Sequence, residues 1–166
     1  MNDHTANPGA IEVELPDNRT PEQKWADAGQ IMSVFCSDPR YRELPGHVLY
    51  VKLMPALALG QYAILRKPMT IHGTEEVLPG PVGAILWARV NDELHQRFQN
   101  ASELPRLDMS QWQSGDHFWI IDAPGDPKLV GQALERLHRE RFGGNPFNAF
   151  IYKGAKGLTV RTLGAR

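Results

Sequence analysis

The stretch from His117 to Gly144 constrains this chain more than any other. His117 to Asp122 is a run of aromatic and branched residues with the character of a strand. Asp126-Pro127 then gives a helix N-cap and a proline at the first helical position, where its missing N–H costs nothing. Leu129, Val130, Ala133, Leu134 and Leu137 follow on one face at helical spacing, and Gly143-Gly144 stops the pattern. A strand therefore leads through a short turn into an amphipathic helix, with further short strands at Ala149 to Tyr152 and Leu158 to Thr162.

Upstream, Thr20-Pro21-Glu22-Gln23 reads as a capping box opening a helix over about residues 21–36. Trp25, Ala28, Met32 and Phe35 recur along it, and Asp38-Pro39 ends it because the residue before proline disfavours the helical region. Val48 to Met54 fits either a strand or a buried helix. Gln61 to Arg66 and Val82 to Arg89 alternate as strands and pair antiparallel across a connection holding Gly73, Pro79, Gly80 and Pro81. Asn91 to Gln99 is a short helix with Leu94 and Phe98 four apart. Residues 1–19 are polar and rich in turn formers, which predicts a flexible tail ahead of one domain over residues 20–166. The elements sum to an α+β single domain.

Composition narrows the function. The 18 Lys+Arg against 19 Asp+Glu leave a net charge of -1, with no single-sign field to attract nucleic acid, so no nucleic-acid partner is expected. One cysteine rules out an intramolecular disulfide, and the six histidines have no close ligand spacing, so no metal site is expected. Cys36, following Phe35 at a helix end, reads as a small buried apolar residue. The longest apolar run, Val48 to Leu65, is broken by Lys52, Pro55, Gly60 and Gln61, which argues against a transmembrane segment. With no leader pattern at the start, a cytoplasmic location is expected. Phosphate-loop, dinucleotide, zinc-protease and serine-hydrolase motifs are all absent.

The chemistry-bearing stretch is Trp112-Gln113-Ser114-Gly115-Asp116-His117-Phe118-Trp119-Ile120-Ile121-Asp122, in which turn residues lead into a strand that ends on a carboxylate. A carboxylate at a strand end is where a scaffold presents reactive groups. The plainer account is that Asp116 and Asp122 merely cap turns.

That stretch resembles the RTX toxin-activating, or haemolysin-activating, lysine acyltransferases, whose segment reads W-x-S-G-D-x-x-W, two apolar residues and the catalytic Asp. Asp122 stands at the position of that acid. Asp38-Pro39-Arg40-Tyr41-Arg42-Glu43-Leu44-Pro45, Leu53-Met54-Pro55-Ala56 and Gln61-Tyr62 resemble the family's early S-P-x-H-R-x-x-P, L-P-A and Q-Y elements. Pro81-Val82-Gly83-Ala84 to Trp87-Ala88 is similar to its P-V-A and W-A strand. The resemblance covers roughly residues 30–126.

It implies a GNAT-like acyltransferase fold, a mixed and largely antiparallel sheet flanked by helices, working as a homodimer with no bound cofactor. It also implies that a fatty acyl group passes from acyl carrier protein to a lysine ε-amine of a protein acceptor such as a protoxin. The GNAT pyrophosphate signature is missing, since Arg141-Phe142-Gly143-Gly144-Asn145-Pro146 breaks at its last position, which agrees with an acyl carrier protein donor.

The chain departs from the pattern at two positions. Tyr41 replaces the catalytic histidine, and Lys52 stands where some members carry Asn. A tyrosine with a pKa of ~10 is no base at neutral pH, unlike His at ~6.5. One reading gives Tyr41 the part of general acid toward the leaving thiolate, beside Asp122. The other makes the chain an impaired descendant that binds carrier or acceptor without transfer. His47 is an alternative base. His117 is a weaker one, because strict strand alternation places it on the opposite face from Asp122.

Overall fold

A computed structural model describes residues 11–152 and 157–164. A six-stranded mixed sheet in the order β1-β2-β3-β4-β5-β6 runs through the middle. Its strands are β1 (Glu12–Glu14), β2 (Tyr62–Thr70), β3 (Val77–Val90), β4 (His117–Asp122), β5 (Phe147–Tyr152) and β6 (Leu158–Leu163). Helices α1 (Pro21–Ser37), α2 (Gly46–Leu59) and α3 (Asp92–Gln99) cover one face, and α4 (Pro127–Glu140) covers the other. All pairings are antiparallel except β4 with β5, which α4 connects. The fold is the expected α+β, GNAT-like arrangement.

Each helix forms for a local reason. Thr20 and Gln23 complete a reciprocal capping box, with Thr20 Oγ1 accepting from the Gln23 N–H and Gln23 Oε1 from the Thr20 N–H. Asp126 accepts from the N–H groups of Lys128 and Leu129 at the start of α4. The ambiguous run at 48–54 lies in α2, where Leu49, Leu53 and Leu57 recur every fourth residue and are all buried. Gly60, at φ +64°, ends it with N–H bonds back to Ala56 and Leu57.

Alternation along β2 and β3 sorts the core. Tyr62, Ile64, Ala84, Leu86 and Ala88 face α1, α2 and α3, whereas Ala63, Leu65, Ile85 and Trp87 face α4. This alternation breaks once on the way to the site. Leu86 stands opposite Asp122 and Trp87 opposite Ile120, so β4 carries one extra residue there, a β-bulge.

Four expectations need correcting. Residues Glu12–Glu14, assigned to a tail, form an edge strand paired with Ile64, Leu65 and Arg66 and tied down by ion pairs of Glu14 with Arg19 and Arg66; residues 1–10 of that tail lie outside the described residues. Trp25 is exposed, because the buried stripe of α1 runs through Ala28, Ile31, Val34 and Phe35. Cys36 is exposed as well, one step of about 100° round the helix from Phe35. The β2–β3 strands also run on through Pro68 and Pro79, which face each other in a two-stranded arm. Both strands are edges there, so the missing N–H groups break no central ladder.

Candidate active site

Asp122 ends β4 and is 9% exposed. Its two oxygens have separate partners from distant parts of the chain. Oδ1 accepts from the Tyr41 hydroxyl at 2.5 Å, and Oδ2 from Lys52 Nζ at 2.6 Å. Tyr41 lies in the α1–α2 connection and Lys52 in the middle of α2, so three elements meet on one carboxylate. The plainer account of Asp122 as a turn cap therefore fails, since it bonds side chains 81 and 70 residues away.

Asp116 also pairs with a side chain distant in the chain, one from β3. Its carboxylate takes Arg89 Nη2 at 2.6 Å on the surface. Other residues of the motif dock its loop: Arg89 N donates to Trp112 O at 2.8 Å and Asn91 N to Ser114 Oγ at 3.1 Å. Gly115 is required there, because a Cβ would sit 2.5 Å from Asn91 Cα. The motif thus builds the turn that aims β4, and Asp122 alone among its members reaches Tyr41.

A latch missed in the sequence reading holds Tyr41 in place. Asp38 accepts from the Arg40 guanidinium, with the shortest contact 2.6 Å, and from the Gly125 N–H at 2.9 Å. Arg40 Nη2 also donates to the carbonyls of Ala123 and Gly125, each at 3.2 Å. The α1–α2 connection is thereby fastened to the turn just after Asp122. Burial by itself would raise the Asp38 carboxyl, but the hydrogen bonds from Arg40 and Gly125 outweigh it and hold the group at about 2. Gly125 has φ +117°, and a Cβ would come within 2.7 Å of Gly83 Cα, so only glycine permits this approach. The signal in the sequence was the Asp38-Pro39-Arg40 block itself, whose spacing alone did not show a partner.

Burial, followed by the Asp122 charge and hydrogen bond, pushes the Tyr41 phenol well above its ordinary value. Tyr41 is therefore a neutral hydrogen-bond donor across the physiological range. The edge of its ring also packs on Phe35, with centroids 4.9 Å apart.

Neither histidine candidate reaches the carboxylate. His47 is exposed in the first turn of α2, five residues and so about 140° round the helix from Lys52. His117 does share the face of Asp122, because the bulge reverses the alternation, and the strict-alternation expectation is wrong on this point. Yet the two stand five positions apart along the strand, about 16 Å. His117 Nε2 instead bonds Asp92 at 2.6 Å while its ring stacks on His95.

Two clefts, of about 300 and 440 Å³, are lined by Trp87, Arg89 and Arg141 and by His95, Asp116 and Asn148; Asp122 lines neither. Among the described residues no group of three or more His, Cys, Asp or Glu could hold a metal ion, and no helix is long and apolar enough to cross a membrane.

A mixed sheet with three helices on one face, one on the other and a buried carboxylate at the end of its fourth strand defines a GNAT-like α+β protein. Within that class the chain belongs to the RTX toxin acyltransferase family, whose sequence pattern it matches over residues 20–163. It is 26% identical over 117 residues to the protein-lysine myristoyltransferase RtxC of Kingella kingae, covering 69% of this chain and 63% of that protein. It is 27% identical over 155 residues to the protein-lysine palmitoyltransferase CyaC of Bordetella bronchiseptica, covering 86% of this chain and 77% of the relative. To the protein-lysine myristoyltransferase HlyC of Escherichia coli it is 27% identical over 124 residues, covering 73% and 64%. The chain thus spans somewhat under two thirds of the Kingella and Escherichia relatives' length.

Proposed function

We propose that the chain transfers a fatty acyl group from acyl carrier protein to a lysine ε-amine of a protein acceptor of the protoxin type. The observation that carries this reading is the convergence of Tyr41 and Lys52 on the buried Asp122. A carboxylate that already holds an ammonium at 2.6 Å is suited to hold an acceptor lysine there. A lysine ammonium attacks a thioester only after losing a proton, and its nitrogen becomes far more acidic as the C–N bond forms. The first proton passes to solvent before attack, and Asp122 takes the second as the bond forms.

Tyr41 acts as a positioning residue. Its raised pKa makes proton donation to a thiolate, whose conjugate thiol has a pKa of ~8.5, unfavourable, so the general-acid role is the poorer assignment. Its hydroxyl instead fixes the carboxylate and keeps one oxygen occupied. The N-terminus of α4, next after Asp122 in the chain, supports a donor other than one held by its pyrophosphate. Pro127 has no N–H, and Asp126 already occupies the next two N–H groups with a negative charge. The segment at 141–146 lies beyond the other end of this helix.

The test is an acylation assay with palmitoylated acyl carrier protein as donor and an RTX toxin fragment as acceptor. Transfer should be readily detected for the wild type and fall about 100-fold or more in Asp122→Asn. Equal transfer by a folded Asp122→Asn protein, judged by an unchanged circular dichroism spectrum, removes the assignment.

A further inference from the structure

Both oxygens of Asp122 are occupied by the chain's own side chains, and one occupant is itself a lysine amine. Among the described residues no other lysine is ion-paired. The Lys52 side chain is 24% exposed against 8% for Asp122, so of the pair the lysine is the one more open to solvent. Lys52 therefore combines two things an acceptor lysine needs, a carboxylate in contact to take its proton and a side chain not sealed from solvent.

We propose that Lys52 is a self-acylation site, an inference that rests on the acyl-transfer reading of the same carboxylate. The Lys52 ammonium first gives one proton to solvent, and as the free amine attacks the thioester carbonyl carbon Asp122 accepts a second. The C–N bond forms, the C–S bond breaks, and the departing thiolate takes up the proton held by Asp122. What remains is a neutral amide on Lys52, a free thiol and the one proton released to solvent. No oxidant or further reactant is needed. The product has lost the charge that held Lys52 on Asp122, so the ion pair with Oδ2 is broken and only a neutral amide N–H remains on that nitrogen.

The experiment incubates the full chain with palmitoylated acyl carrier protein, with and without an RTX toxin fragment, and locates added palmitoyl groups by intact and tandem mass spectrometry. The expected result is one palmitoyl group on Lys52, none at that position in Lys52→Arg, and at least a tenfold slower appearance in Asp122→Asn. Label spread over the half-buried Lys24 and the exposed Lys67 and Lys128 at a rate indifferent to Asp122→Asn overturns the inference, as simple chemical acylation. If the toxin fragment is acylated while Lys52 stays bare, the inference falls and the proposed function stands. If Lys52 is acylated and the fragment is not, self-acylation stands and transfer to such an acceptor falls. If neither is acylated, both fall.

Discussion

At the scale of single residues, Tyr41, at the position where the family resemblance implies a histidine, faces Asp122 with a different kind of group. A neutral phenol donates one hydrogen bond and shuttles no proton near pH 7, so under the proposed function its contribution is to place the carboxylate. Tyr41→Phe removes only that hydroxyl and leaves Oδ1 buried without its donor, at a cost of about 1–3 kcal/mol. Transfer should fall about tenfold, short of the ~100-fold expected for a residue that moves a proton in the transition state. Tyr41→His brings in an imidazole with a pKa near ~6.5, which the Asp122 charge would orient. Transfer by this variant should exceed that of wild type and gain an inflection between about pH 6 and 7 in its pH–rate profile. A Tyr41→His protein no faster than Tyr41→Phe would show that position 41 supplies no base in this scaffold.

At the scale of elements, the site depends on a connection held by side chains. Asp38 and Arg40 fasten the α1–α2 segment to the turn after β4, and Asp38 has its carboxyl depressed to about 2 from an ordinary value near 4. A depressed acid gives stability that is complete above the unfolded value and lost as pH falls through the folded one. The Asp38 contribution, on the order of 2 kcal/mol, should therefore disappear between about pH 4 and 2. Thermal melts across that window should show a steeper loss for wild type than for Asp38→Asn, and parallel curves would deny Asp38 this role. The ends of α1 and α4, and the pairing of β2 with β3, were legible in the sequence because caps, prolines and alternation are local signals. The α2 helix was not, since a short apolar run carries both periodicities. The bulge at Leu86 and Trp87 was not legible either, because an extra residue in β4 shows only against its partner strand. That single residue decides which face Asp122 takes. The sequence pattern thus pointed to Asp122 and Tyr41, while Lys52 drew notice only for replacing Asn and the Asp38–Arg40 latch remained hidden.

At the scale of the whole molecule, the sheet separates two apolar cores, and only one of them backs the site. Leu86 lies in the core beneath α1, α2 and α3 and stands opposite Asp122 in the sheet, whereas Leu137 lies in the core beneath α4. Both are almost fully buried, at 0% and 1% exposure. Truncation of either to alanine should therefore cost about 2–5 kcal/mol, or roughly 5–15 °C in melting temperature. Their effects on transfer should differ even though their effects on stability are alike. A cavity at Leu86 loosens the packing beneath the strand pair that sets Asp122 against Tyr41 and Lys52, and small misplacements of a reacting group are costly. Leu86→Ala should lose about tenfold or more in transfer rate per folded molecule at a temperature where both variants remain native, and Leu137→Ala should lose less than about twofold. If the two variants lose activity in equal proportion, the site draws its rigidity from the sheet as a whole and not from the core behind Asp122.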